Sequence, residues 1–173
     1  MGCDIHQRTF LWSKTIRRYV GTEEVCDYGS EYDIAEDRYY DYFGLFGNNI
    51  RSSYPPLDEI NWGLPDFLPK TAKASFKHYG MDYHTFSWFL LPNLCRSMQR
   101  YIDKLKNPGK FIIDDPESID AKFFDLPEWK EDTTQLISYI QKKVDHLKWI
   151  VEDRNFEKII DPDKTLILIY FDN

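Results

Sequence analysis

From Cys3 to Trp12 the chain reads with a period of two, which predicts a strand. Asp4, His6, Arg8, Phe10 and Trp12 fall on one face; Cys3, Ile5, Gln7, Thr9 and Leu11 fall on the other. A second strand is expected over Thr15 to Val20, closing a hairpin through Ser13-Lys14. Gly21 to Asp33 is polar and turn-like. At the far end, Thr165 to Phe171 is a continuous apolar run without polar alternation. Such a run predicts a central strand buried on both faces.

Between these strands the period changes to that of helices. Ile34 to Phe46 reads as a short aromatic helix ending near Gly47-Asn48-Asn49, residues that tolerate a left-handed backbone. Ile50 to Pro69 reads as a loop, because Pro55-Pro56 and Pro65 block both helix and central strand. Trp62, Leu64 and Phe67 are expected to pack it. Thr71 to Tyr79 predicts a helix stopped by Gly80, and another starts at Pro92 and stops at Asn107-Pro108-Gly109. Thr133 to Val151 is the clearest helix, capped by Thr133 or Asp132. Leu136, Ile137, Ile140, Val144, Leu147, Ile150 and Val151 form its apolar stripe. A single domain must bury such a face, so the stripe is expected in the core.

The pattern predicts an α+β fold, with a small sheet that contains the N-terminal and C-terminal strands and is packed by several helices. At 173 residues, one domain over 1–173 is expected, with an irregular insertion at 107–132. Composition supports a real core. Aromatics make up 17% of the chain, and each ring buries a large area.

Charge and cysteine usage narrow the setting. The formal net charge of −7 argues against direct nucleic-acid binding, which needs clustered cations. Cys3, Cys26 and Cys95 are odd in number and widely spaced, which fits neither a disulfide framework nor a zinc site. No apolar run reaches spanning length and no secretory signal is read, so no membrane association is expected. The opening Met1-Gly2-Cys3 lacks the Ser or Thr that acylation wants, since position 6 is His. A cytoplasmic protein with free thiols is expected.

The candidate chemistry lies in two Asp-x-His pairs, Asp4 with His6 and Asp82 with His84. In an extended segment, residues two apart point the same way, so each pair presents a carboxylate and an imidazole together. That combination suits a divalent metal or a general acid/base. The bland alternative leaves His6 beside Arg8 on a half-exposed face with no task. Asp172 directly follows the C-terminal strand and would approach Asp4 or His6 if the first and last strands are neighbours. Arg38 and Arg51 flank the aromatic helix and suit either an anion or an internal carboxylate. The chain has no Gly-rich phosphate loop, nucleophile elbow or His-Glu-x-x-His helix.

Several motifs, in order, carry a family resemblance. They are Met1-Gly2-Cys3-Asp4-Ile5-His6, then Arg38-Tyr39-Tyr40-Asp41-Tyr42-Phe43 running to Ile50-Arg51, then Gly63-Leu64-Pro65. Gly80, Asp82, His84, Ser87 and Trp88 follow, and the chain finishes on Phe171-Asp172-Asn173. The chain resembles a family of small proteins found mostly in bacteriophage and bacterial genomes. Two departures stand out: the Arg38 to Arg51 spacing is one residue longer, and Phe86 stands where many members carry a second His. The resemblance implies a phage or mobile-element setting and supplies no activity. Its motifs fall on the residues chosen by chemistry, which implies one shared polar site.

Three readings stay open, and none settles whether the chain is an enzyme. The first is a phage-type accessory protein that binds a small polar ligand, such as a nucleotide, or a host protein, with a role in counter-defence. Its pocket would comprise Asp4, His6, Arg38, Tyr40, Arg51, Asp82, His84, Trp88 and Asp172, with Tyr40, Trp62 and Trp88 as stacking rings. The second is a small hydrolase whose divalent metal cofactor sits on His6, His84, Asp4 and Asp172. The third is a structural or virion-associated protein.

Overall fold

The computed structural model describes residues 4–21, 39–47, 54–78, 83–107, 127–152 and 158–172. For residues 4, 40, 77, 78, 83, 84, 127–132, 150–152 and 172 it describes the backbone alone. The elements run β1 (Asp4–Ser13), β2 (Arg18–Gly21), α1 (Tyr40–Gly44), β3 (Asn61–Trp62), α2 (Lys70–His78), β4 (Tyr83–Leu90), α3 (Leu91–Lys106), α4 (Pro127–Glu152) and β5 (Ile160–Asp172). The fold is α+β, with one antiparallel five-stranded sheet in the order β2-β1-β5-β4-β3.

β5 sits at the centre because its residues are apolar on both faces. Every residue from Thr165 to Phe171 is buried. Ile167, Ile169 and Phe171 enter the main core with Ile5, Leu11, Phe89 and the buried residues of α1, α3 and α4. Leu166, Leu168 and Tyr170 enter a second cluster with Phe10, Leu68 and Phe76. The sheet is therefore covered on both sides, by α1, α3 and α4 on one and by α2 with its preceding loop on the other. Each fully buried Leu or Phe contributes roughly 1.5–3 kcal/mol, so this double burial is the main stabilising term for the central strand.

The helices follow from local sequence. Pro92 stands in the first turn of α3, where its missing N–H costs nothing. Leu94, Met98, Tyr101, Ile102 and Leu105 then recur on the buried side. Leu136, Ile140, Val144 and Leu147 bury the stripe of α4, as the spacing predicts. The helix starts at Pro127 rather than at Thr133, so Asp132 and Thr133 stand at interior positions and not at its N-terminus. The end of the 107–132 segment is thus helical; residues 108–126 lie outside the described residues. Thr133 has another task. Its hydroxyl is buried and bonds the Tyr54 hydroxyl at 3.2 Å.

Two strands escape the pattern. β4 reads Tyr-His-Thr-Phe-Ser-Trp-Phe-Leu, aromatic on both faces, and it runs straight into α3. Its register slips between His84 and Ser87, where Thr85 has a positive φ of 51°. β3 is a two-residue edge strand inside the proline-rich loop, with Asn61 opposite Trp88 and Trp62 opposite Ser87. That loop is held to α3 by side chains. Ser97 Oγ donates to the Asp58 carbonyl at 2.6 Å and the Tyr101 hydroxyl donates to the Pro55 carbonyl at 2.6 Å. Leu64 packs as expected, and Phe67 packs against the Tyr19 and Trp88 rings while staying about half exposed; Trp62 is about half exposed too.

The hairpin turn is longer than Ser13-Lys14. Residues 14–17 form it, and β2 begins at Arg18. Ser13 closes it, accepting the Arg17 N–H at its carbonyl (2.9 Å) and the Ile16 N–H at its hydroxyl (3.4 Å). Among the described residues no helix is long and apolar enough to cross a membrane.

Candidate functional site

The antiparallel ladder gathers candidate residues at one end of the sheet. Asp4 lies opposite Asp172, and His6 lies opposite Tyr170. On the other side of β5, Tyr83 lies opposite Asp172 and His84 opposite Phe171. The start of β1, the start of β4 and the end of β5 therefore meet at this edge. Register also divides them. Strand positions alternate faces, so the position paired with Tyr170 and the position paired with Phe171 belong to opposite faces. The positions of His6 and His84 flank β5 on either side and do not share a face in this register.

His6 is the one candidate metal ligand whose side chain is described. It is half-buried, and its ring stacks on Tyr170 with centroids 5.3 Å apart and planes 21° apart. Tyr170 in turn stacks on Phe86 at 5.7 Å and meets the edge of Phe76 at 5.3 Å. His6 thus joins an aromatic row on the α2 side of the sheet. The side chains of Asp4, Tyr40, His84 and Asp172 lie outside the described residues, as do residues 38, 51 and 82 altogether, where Arg38, Arg51 and Asp82 fall. Trp88 is part-buried in the second cluster, with its ring at right angles to Phe67. Among the described residues no group of three His, Cys, Asp or Glu side chains stands close enough to hold a metal.

A different constellation lies two residues along β1 on the same face. Arg8 places its guanidinium 4.9 Å from the centroid of the Phe76 ring, and its Nη1 donates to Ser75 Oγ at 3.2 Å. Ser75 Oγ donates to the Ala72 carbonyl at 2.8 Å, so a helix residue holds the acceptor in place. The guanidinium is therefore oriented by α2. Neither Arg8 nor Arg18 takes part in an ion pair among the described residues.

These residues line a cavity of about 240 Å³ between the β1–β2 hairpin and the start of α2. Its walls are Arg8, Phe10, Arg18, Tyr19 and Gly21 from the hairpin, and Pro69, Thr71, Ala72 and Ser75 from the α2 side. Among the described residues the lining holds two arginines and three hydroxyl-bearing residues, and no acidic one. Burial is the main influence on Tyr19, with the negative charge of Asp161 second; both push its hydroxyl above the ordinary range, so it stays protonated. The first turn of α2 adds a field of the same sign as the arginines. Such a lining favours an anion. Of these residues only the alternation that sets Arg8 beside His6 was visible in the sequence; Ser75 is 67 positions away and Arg18 lies across a turn.

Comparison with protein-family models, with curated proteins and with solved structures found no match for this chain.

Proposed function

We propose that this chain is a binding protein for a small anion, held in the cavity between the β1–β2 hairpin and α2. The observation that carries this reading is the state of Arg8. A guanidinium stacked on Phe76 and fixed by Ser75, yet without a carboxylate partner among the described residues, retains most of its capacity to bind an anion. Sequestering a host molecule in counter-defence is a use that fits the phage setting implied by the resemblance. Calorimetric titration with inorganic phosphate at fixed ionic strength tests the reading. Binding that weakens at least tenfold in Arg8→Gln supports it, on the scale of one charge-assisted contact. Absence of any anion binding by the folded wild-type protein sinks it.

A second reading is favoured by a separate observation, the opposition of Asp4 and Asp172 beside His6. Two carboxylate positions facing each other at a strand end suit a divalent cation, and a cation there would support hydrolysis. Elemental analysis of untagged protein is the check. Less than stoichiometric metal, together with no gain in melting temperature on adding zinc or manganese, removes this reading.

A further inference from the structure

We infer that the anion is the phosphate of a mononucleotide, with its base resting on Phe67. This rests on the cavity proposed above and names what it takes. At about 240 Å³ the cavity is smaller than the roughly 300–1,000 Å³ of pockets that enclose a whole drug-sized ligand. It takes a phosphoryl group with part of a sugar but does not enclose a whole nucleotide, so the rest of the ligand must extend over the rim. A phosphate monoester presents three oxygens in a tetrahedral array and needs donors from several directions. Arg8 offers a planar fork from the sheet, held by Ser75, Arg18 stands on the hairpin, and Thr71 brings a hydroxyl from α2.

The rim supplies an aromatic surface. Tyr19 lines the cavity, and its ring stacks on Phe67 with centroids 5.6 Å apart and planes 26° apart. The ring of Trp88 braces Phe67 from another side, at 5.2 Å and 88°. Phe67 is nonetheless 47% exposed. A single exposed apolar side chain is ordinary. One held between two other rings, and joined through Tyr19 to an arginine-lined cavity, is a rigid stacking surface at low entropic cost. Every base has a π-face, so such a surface takes a base without hydrogen-bond readout. Trp62 is equally exposed, but it pairs with Ser87, whose face belongs to the main core. It is therefore not part of this surface. The net charge of −7 favours a free mononucleotide over a polynucleotide, whose many phosphates the rest of the chain would repel.

Titration of the full chain with adenosine 5′-monophosphate, ribose 5-phosphate, inorganic phosphate and adenosine tests this. The nucleotide should bind about tenfold or more tightly than ribose 5-phosphate, the increment of one stacked base. Phe67→Ala should abolish that difference and leave ribose 5-phosphate binding unchanged. Phe67→Leu keeps an apolar cover on Tyr19 and serves the same purpose if the alanine variant does not fold. Equal affinity for the nucleotide and ribose 5-phosphate, or a nucleotide preference that survives both substitutions, overturns the inference while the anion site stands. Tighter binding of a six-nucleotide single strand than of the mononucleotide overturns it in favour of a polynucleotide. Failure of all three phosphate-bearing small molecules to bind overturns the anion site and this inference together.

Discussion

Asp4 and Asp172 occupy directly opposed positions in the register of β1 and β5. Opposed positions in an antiparallel pair bring Cβ atoms roughly 4.5–5.5 Å apart, and like charges placed there destabilise the sheet. Asp172→Asn should therefore stabilise the protein by roughly 0.2–1 kcal/mol in metal-free buffer. The measurement is the urea midpoint at unchanged slope. Added manganese or zinc separates the two uses of the pair. If the carboxylates share a cation, the metal raises the melting temperature of the wild type and not of the variant. A variant less stable than the wild type without metal would mean that the pair is already neutralised by a neighbour.

The buried hydroxyl pair of Tyr54 and Thr133 ties the proline-rich loop to α4 across 79 positions of sequence. Tyr54→Phe and Thr133→Val each remove one partner and leave the other short of a bond in a buried place. Each should cost about 1–2 kcal/mol. The double variant should cost less than the sum of the two, because neither hydroxyl is then left behind. Strict additivity in denaturant melts would show that the two groups do not interact.

What was legible in the sequence follows from what has a period. The apolar stripe of α4 and the unbroken apolar run of β5 have one neighbour each in pattern space, helix core and central strand. Both were readable from Leu136 to Leu147 and from Thr165 to Phe171 alone. β4 was not, because Tyr83 to Leu90 buries aromatics on both faces and slips register near Thr85, so no alternation survives. The site shows the same division. The shared face of Asp4, His6 and Arg8 is a property of one strand. That Asp4 meets Asp172 depends on which strands pair, and that Arg8 meets Ser75 depends on where α2 lands. Neither leaves a local trace.

Gly63 turns the chain between Trp62 and Leu64 with a φ of +82°. Its N–H donates to the Phe86 carbonyl at 2.9 Å, so the turn is tied to β4 in that conformation. A Cβ added there meets nothing within 4 Å. The cost of Gly63→Ala is then purely conformational, about 1 kcal/mol. Gly63→Asn should cost less, since Asn tolerates the left-handed region better. Chemical melts of the two variants give the comparison, and an alanine variant as stable as the wild type would show that the turn relaxes.

Cys95 lies on the buried side of α3, and its thiol is pushed up to about 11. Burial is the largest cause; the nearby positive charge of Lys148 opposes it only in part. A thiol that stays protonated is neither a nucleophile nor a metal ligand at neutral pH. In the folded protein Cys95 should therefore resist iodoacetamide at pH 8, read by mass spectrometry of its peptide, and should react once urea unfolds the chain. The raised value also carries a stability consequence. Above the unfolded thiol's pKa of about 8.5–9 the unfolded chain has released a proton that the folded chain still holds, so stability falls as pH rises. The loss runs from about pH 9 to the folded value near 11 and amounts to about 2–3 kcal/mol. Tyr19 shifts in the same direction and adds to the alkaline slope. Cys95→Ala removes the thiol's share. Its stability should be lower at pH 7 because of the lost packing, yet should decline less steeply between pH 9 and 11. An alkaline slope identical to that of the wild type would assign the whole effect to the tyrosines and leave the Cys95 thiol out of it.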